Sequence, residues 1–274
     1  MPFEPIVGPA AWQGQQLFET RQWPMRLTAA DLNELSAATS NTAALPLSAL
    51  SRDNFELPQL TPRLASLQTE LEEGCGAILI KGCDIERFSA DDAQRMFYGL
   101  TSHLGTAVSQ SSAGDIIFNV RDEGLKTDDA KTRGPNTNKR LSFHTDRCDV
   151  IAFLCLQQAI AGGENQIVSS VAVYNQILSE RPDLLHILTQ LFYYKRHNVD
   201  VGNADAYCQQ PIFSFCEGRF ASAFLRVLID RAYADPDTPD MTAPQKEALD
   251  FVEQVCERPS MHVEFSQEPG DILL

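Results

Sequence analysis

An apolar run in the middle of the chain constrains the fold more than any other sequence feature. Residues 150–156 are Val-Ile-Ala-Phe-Leu-Cys-Leu, with no alternating polar positions. A strand that is hydrophobic on both faces is typical of the centre of a covered sheet. We therefore predict a central strand over residues 150–157. The run is also among the longest apolar stretches, and it falls far short of the roughly 18 residues that a membrane-spanning helix needs.

Other strand patterns are concentrated after Gly114 and are interrupted by turns and helical segments. They predict a mixed α/β fold with a mainly β core, a double-stranded β-helix (jelly roll) decorated with helices. A mixed α/β sandwich would give a similar pattern. We expect one domain over residues 1–274, with an arm and helix over 1–60 and the core over 61–274. The predicted strands are 77–80, 115–120, 141–144, 166–171, 191–196, 211–216, 220–225 and 261–265, with a hairpin turn at Glu217-Gly218. The predicted helices begin near Thr28, Thr61, Ser89, Val171, Pro182 and Pro244, with Thr28 and Thr61 as N-caps.

Charge and cysteine content exclude several classes of protein. The 274 residues include 37 acidic and 22 basic side chains, which give a formal charge of −15. This balance argues against nucleic acid and anionic membrane surfaces as partners and leaves a small-molecule enzyme compatible. The seven cysteines form no Cys-x-x-Cys pair, and the amino terminus lacks a secretion signal. We therefore expect reduced thiols and a cytoplasmic protein.

The sequence Phe143-His144-Thr145-Asp146 is the main candidate for chemistry. Side chains at positions i and i+2 of a strand point to the same face, so the imidazole and the carboxylate could bind one metal ion. With a second histidine, they would form the triad of ligands found in non-heme Fe(II) oxygenases. The alternative is a histidine paired with a nearby carboxylate at a strand end, because so short a motif also arises by chance.

A polar stretch of about twenty residues, 121–140, precedes this motif. A loop of this length within a compact chain is uncommon and is usually functional.

The order of motifs after His144 carries a resemblance. Gly162-Gly163-Glu164-Asn165 follows the apolar run, and Pro269-Gly270-Asp271 comes near the end. From about Leu60 to Leu274, this order resembles the taurine dioxygenase-like (TauD/TfdA-type) family of Fe(II)/2-oxoglutarate-dependent dioxygenases. The similarity is closest to fungal and bacterial members of unassigned substrate.

The resemblance implies iron held by His144, Asp146 and a distal histidine, with 2-oxoglutarate as co-substrate and O₂ as oxidant. It implies succinate and CO₂ as products and a small organic substrate. A carboxylate at Asp146 favours hydroxylation or desaturation over halogenation. Asn165 takes the place of the family's usual threonine near 2-oxoglutarate, and it could equally be an ordinary turn residue. Gln110, Asn138 and Arg140 lie where family members contact substrate, and an arginine there would suit a carboxylate or sulfonate.

One departure from the family pattern concerns the carboxyl-terminal end. The distal histidine and the 2-oxoglutarate-binding arginine should follow the Pro-Gly-Asp turn, and the sequence ends at Leu274. We therefore expect this part of the motif to be missing, with His186, His197 and His262 serving other roles. Two alternatives stay open: a non-catalytic jelly-roll binding or vestigial protein, and a zinc-dependent hydrolase that uses His144 and Asp146.

Overall fold

The computed structural model describes residues 3–19, 23–110, 114–122, 124, 139–196 and 205–274. These residues form a mixed α/β fold, as predicted. The helices cover more of the described chain than the strands do, which differs from the predicted mainly β core. The α-helices are α1 (Ala29–Asn41), α2 (Thr61–Glu73), α3 (Ala90–Thr101), α4 (Ser170–Glu180), α5 (Pro182–Leu188), α6 (Arg226–Tyr233) and α7 (Ala243–Cys256). The strands are β1 (Met25–Arg26), β2 (Leu79–Lys81), β3 (Phe153–Leu154), β4 (Asn165–Val168), β5 (Phe192–Lys195), β6 (Tyr207–Gln210), β7 (Phe213–Cys216), β8 (Arg219–Ser222), β9 (His262–Phe265) and β10 (Ile272–Leu273).

Local capping signals account for most helix starts. The side chain of Thr28 accepts a hydrogen bond from the backbone N–H of Asp31, whose carboxylate accepts from the Thr28 N–H in return. Ser89 caps α3 in the same way through the N–H of Asp92. Such caps satisfy backbone donors that have no partner inside the helix. Helix α2 begins one residue earlier than predicted, with Leu60 at its N-cap.

The largest sheet contains four strands in the order β1-β2-β10-β3. Strand β1 is parallel to β2, whereas β10 is antiparallel to both β2 and β3. The predicted central strand is therefore wrong: β3 is only two residues long and lies at the edge of this sheet. Its apolar neighbourhood stays partly exposed, with Val150, Ile151, Phe153 and Leu156 each about 40% accessible. Hydrophobicity alone could not show which partner covers a strand.

Three two-stranded sheets pair β4 with β9, β5 with β6, and β7 with β8. The β7–β8 hairpin confirms the predicted turn, where Glu217 and Gly218 both have positive φ. Strand β6 and helix α6 were not predicted. Within the described residues, 115–120 and 141–144 form no strand, because no neighbouring strand pairs with them.

Three hydrophobic clusters fill the interior. The largest surrounds α4, α5 and α7 and includes Phe192, Phe213 and Phe224. A second lies between α1–α3 and the four-stranded sheet. The third joins Trp12 and Trp23 of the amino-terminal arm to Val263 and Leu273. In the part of the chain that the structure describes, no helix is both long and apolar enough to cross a membrane.

Candidate metal-binding site

The His144 and Asp146 side chains end close to each other, as the motif predicts. The His144 Nε2 atom lies 4.0 Å from Asp146 Oδ2, and the two side chains are 31% and 44% exposed. The segment is not a regular strand, yet its exposure still alternates, with Phe143 and Thr145 half-buried between the exposed Ser142, His144 and Asp146. The alternation expected of a strand therefore survives without strand pairing.

A backbone hydrogen bond sets the tautomer of His144. Its Nδ1 lies 2.8 Å from the carbonyl oxygen of Ser142. Because a carbonyl oxygen can only accept, Nδ1 carries the proton and donates it. The lone pair of a neutral imidazole then lies on Nε2, which faces Asp146. A hydrogen bond to the other ring nitrogen is the usual way in which a metal-binding histidine is oriented. Sequence reasoning missed this role of Ser142, because any residue can supply a carbonyl oxygen.

The donor atoms fit a ferrous ion in chemical type. A neutral imidazole nitrogen and a carboxylate oxygen are two ligands of the non-heme iron triad. Two such donors at about 2.1 Å from one ion can be up to about 4.2 Å apart, so a separation of 4.0 Å is compatible with shared binding and needs a small inward rotation for adjacent coordination positions. Across the described residues, no cluster of three or more histidine, cysteine or acidic side chains could hold a metal. The structure thus brings together two candidate donors, one fewer than the triad of protein ligands needs.

The electrostatic surroundings of this pair are acidic. Burial, followed by the charges of Asp146 and Asp149, raises the pKa of the neighbouring Cys148 thiol. A local negative potential attracts cations.

The remaining histidines make other contacts. The Nδ1 atom of His262 lies 2.9 Å from the carbonyl oxygen of Cys256. His103 lies 2.8 Å from a backbone carbonyl oxygen through Nε2. His186, in the last turn of α5, lies against the ring of Phe3. His197 lies outside the described residues.

Of the three residues predicted to bind substrate, Arg140 has the most defined surroundings. Its Nη2 donates to Glu257 at 2.8 Å and to Gln166 at 2.5 Å. Its guanidinium also lies 5.9 Å from the centre of the Phe143 ring, beside the metal-binding motif. An anionic substrate would have to compete with Glu257 for this arginine. Asn138 lies outside the described residues.

Gln110 and Asn165 lie on different parts of the fold. The Gln110 backbone N–H donates to the carbonyl oxygen of Asp115 at 2.6 Å, and its side chain is exposed. Asn165, the first residue of β4, is half-buried and donates from its amide to Gln267 Oε1 at 3.2 Å. That contact ties β4 to the segment between β9 and the Pro-Gly-Asp turn.

Comparisons with known proteins identify the family of this chain and its relatives. A sequence model of the taurine catabolism dioxygenase TauD, TfdA family matches residues 41–274. FR-33289 synthase from Streptomyces rubellomurinus is 32% identical over 279 residues, which cover 99% of this chain and 81% of that protein. The taurine hydroxylase-like protein SAT17 from Stachybotrys chartarum is 28% identical, over 96% of this chain and 70% of that protein.

The fold has relatives among solved structures. Asparagine oxygenase, in a complex with Fe(II), hydroxyasparagine and succinate, superposes with a TM-score of 0.64 at 14% identity. The match covers 92% of this chain and 84% of that one. At this identity, the likeness supports the fold alone. Together with the family match over residues 41–274, it shows that the chain belongs to the TauD/TfdA family of Fe(II)- and 2-oxoglutarate-dependent dioxygenases.

Proposed function

We propose that this dioxygenase binds iron through His144 and Asp146 and oxidises a small organic substrate by hydroxylation or desaturation, with release of succinate and CO₂. The observation that carries the proposal is the convergence of His144 Nε2 and Asp146 Oδ2 at 4.0 Å. The hydrogen bond from Nδ1 to Ser142 supports it, because in the neutral ring this bond leaves the lone pair on Nε2, the nitrogen that faces Asp146. In the family pattern a distal histidine is the third ligand; no described residue forms a three-ligand cluster with His144 and Asp146.

The chain's own residues would have distinct tasks. Bound iron and 2-oxoglutarate together supply the means to reduce O₂ and oxidise a C–H bond. His144 provides a neutral donor of fixed orientation, and Asp146 provides an anionic one. Since Asp146 places a carboxylate where halogenating relatives need room for chloride, it favours hydroxylation or desaturation.

The ligand-binding residues are also part of the proposal. Asn165 would donate its amide to 2-oxoglutarate after exchanging its contact with Gln267. Arg140 would bind an anionic group of the substrate, and Gln110 and Asn138 would add polar contacts. The position of Arg140 beside the Phe143 ring supports this assignment, because Phe143 directly precedes His144.

The fold and location are proposed on separate grounds. We propose that the strands belong to one jelly-roll domain over residues 1–274. The packing of the amino-terminal Trp12 against Val263 and Leu273 supports this proposal.

The state of the cysteines bears on the location of the protein. No disulfide joins any of the seven cysteines, all of which lie in the described residues, and Cys148 and Cys216 are exposed. Free thiols are typical of a reducing compartment, which supports a cytoplasmic location.

A succinate-release assay tests the proposed function. The protein would be screened with Fe(II), 2-oxoglutarate and O₂ against a library of small organic compounds. We expect His144→Ala and Asp146→Ala each to abolish succinate release, whereas His186→Ala, a change on α5 away from the motif, leaves it intact. Near-normal turnover by either ligand variant would show that the assignment is wrong.

A spectroscopic test separates the iron enzyme from a zinc hydrolase. Fe(II) and 2-oxoglutarate, added without oxygen, should give a visible charge-transfer band that both ligand variants lack. If the wild-type protein shows no band and instead gains hydrolytic activity with Zn²⁺, the zinc alternative would replace the proposal.

A further inference from the structure

His144 and Asp146, the proposed metal-binding pair, lie on an irregular segment. Contacts other than strand hydrogen bonds must therefore hold their side chains in place. Residues 141–146 belong to no strand in the structure, and they make none of the ladder hydrogen bonds of the described sheets. The side chains of His144 and Asp146 nevertheless converge. The half-buried neighbours, Phe143 and Thr145, point away from the exposed face that carries the donors.

Thr145 holds the segment through a two-way contact with Phe224. The Thr145 backbone N–H donates to the carbonyl oxygen of Phe224 at 2.7 Å. The Phe224 N–H donates to Thr145 Oγ1 at 2.9 Å. This arrangement resembles a hydrogen-bonded pair of an antiparallel sheet, with the hydroxyl in place of the second carbonyl. Phe224 is only 4% exposed and belongs to the largest core cluster, so the contact ties Thr145 to a fixed point.

Phe143 holds the segment on the other side of His144. Its ring centre lies 5.3 Å from that of His262, and the two planes meet at 46°. His262 is itself fixed by its place in β9 and by the contact of its Nδ1 with Cys256. Phe143 also packs against the largest core cluster. Both half-buried neighbours of His144 are therefore anchored in the same core.

We infer that Phe143 and Thr145 are positioning residues that set the distance between the two metal donors. The inference rests on the proposed role of His144 and Asp146 as ligands. Thr145 lies between the donors in sequence, so loss of its hydroxyl contact would loosen the backbone that both side chains share. Phe143 fixes the backbone immediately before His144. The pair replaces the strand ladder that would otherwise define the spacing at positions i and i+2.

Metal affinity measured without turnover tests the inference. Mn²⁺ binding would be followed by calorimetry on the wild-type protein, Thr145→Val and Thr145→Ser. Valine keeps the shape and the backbone N–H but removes the acceptor, whereas serine keeps it. We expect Thr145→Val to weaken Mn²⁺ binding roughly 10- to 100-fold, as loss of a partner that orients ligands commonly does. Thr145→Ser should keep the wild-type affinity for Mn²⁺, and Phe143→Leu should lower it.

A matched variant separates positioning from general loss of stability. Thr238 also carries a half-buried hydroxyl that bonds to the backbone, here to the carbonyl oxygens of Ala232 and Asp235. Thr238→Val should lower the melting temperature about as much as Thr145→Val but leave Mn²⁺ affinity unchanged. Equal losses of affinity in both variants would overturn the inference.

The remaining outcomes distinguish the inference from the proposed function. If His144→Ala loses Mn²⁺ binding while Thr145→Val and Phe143→Leu keep wild-type affinity, the inference is wrong and the ligand assignment stands. If His144→Ala and Asp146→Ala both keep wild-type affinity, the proposed function fails in its ligand assignment, and the inference fails with it.

Discussion

Two short segments of this chain each place an aspartate next to a turn or bend, and the structure surrounds the two carboxylates in opposite ways. The side chain of Asp271, in the Pro-Gly-Asp turn, is 3% exposed, and Lys81 Nζ lies 2.7 Å from its Oδ2. The backbone N–H of Glu268 donates to the same oxygen at 2.9 Å. Asp146 is 44% exposed and faces His144 at 4.0 Å.

The difference separates a structural carboxylate from one that is available to a ligand. The charge of Asp271 is balanced within the protein by an amine and a backbone donor, and a buried charge needs such partners. The Asp146 carboxylate is 44% exposed, and it faces the Nε2 side of an imidazole whose Nδ1 donates to Ser142. A cation that binds there gains two donors at little cost in protein interactions. If the contrast holds, substitutions around Asp271 should lower the free energy of unfolding far more than substitutions around Asp146.

The largest change is expected for Gly270→Ala, beside the structural carboxylate. A Cβ atom at residue 270 would lie 1.8 Å from the carbonyl oxygen of Cys83, and Gly270 has φ of +91°. Backbone cannot yield as a side chain can, so we expect a loss above about 4 kcal/mol or failure to fold. Urea unfolding and soluble yield would measure this. Gly218→Ala is the control, because Gly218 has φ of +79° but open space around it, and should cost about 1–2 kcal/mol. Similar stability of the two variants would contradict the close approach.

The second change concerns the charge balance of Asp271. In Asp271→Asn, Lys81 loses its nearest anion and keeps Glu268 at 3.0 Å. We expect the free energy of unfolding to fall by about 3 kcal/mol, since removing one member of a buried pair exposes the cost of the other. Glu268→Gln, at a side chain that is 70% exposed, should cost less than about 1 kcal/mol. If Glu268→Gln lowered the free energy of unfolding as much as Asp271→Asn does, Glu268 would be as important a partner of Lys81 as Asp271.

The same pair predicts a dependence on alkaline pH. Burial alone would lower the pKa of Lys81, but hydrogen bonds with Asp271 and Glu268 raise it above its ordinary value of 10.5. A raised pKa means that the contribution of the pair is complete below pH 10.5 and is lost as the pH rises through the folded-state value. The difference in free energy of unfolding between the wild-type protein and Asp271→Asn should therefore become smaller above pH 10.5. If this difference stayed constant above pH 10.5, the charge of Lys81 would not contribute to the stabilising effect of Asp271.

The third change is smaller and lies near the candidate metal-binding motif. The exposed ion pair of Arg140 with Glu257 contributes about 0.2–1 kcal/mol, so Arg140→Ala and Glu257→Gln should destabilise the protein by similar small amounts. Their kinetics should differ. If Arg140 binds an anionic substrate found in the succinate screen, Arg140→Ala raises KM, whereas Glu257→Gln releases the arginine and leaves KM unchanged or lower. A parallel rise of KM in both variants would show that the pair acts as a unit.

The sequence predicts features that depend on neighbouring residues better than features that depend on residues distant in the chain. Helix caps such as Thr28 and Ser89 and the turn at Glu217-Gly218 depend on neighbours in sequence, and these predictions are confirmed. The central position of 150–157 depends on partners distant in sequence, and that prediction is wrong. Spacing predicts the closeness of His144 and Asp146, but the Thr145–Phe224 contact joins residues 79 positions apart. No pattern of neighbouring residues predicts a contact between positions so far apart.

The smallest change in stability is expected for Asp146→Asn, and it is the most informative. Because Asp146 is exposed and its Oδ2 lies 4.0 Å from His144 Nε2, beyond hydrogen-bond distance, the substitution should alter the free energy of unfolding by less than about 0.5 kcal/mol. Mn²⁺ at 100 times its dissociation constant should stabilise the wild-type protein by about 2.7 kcal/mol and the variant by almost nothing. Asp149→Asn, at an exposed neighbouring carboxylate, should keep the Mn²⁺ effect. Thermal unfolding with and without Mn²⁺ would measure all three proteins. If Asp146→Asn destabilised the metal-free protein as strongly as Asp271→Asn does, the carboxylate would already be committed to the fold, and the contrast between the two aspartates would not hold.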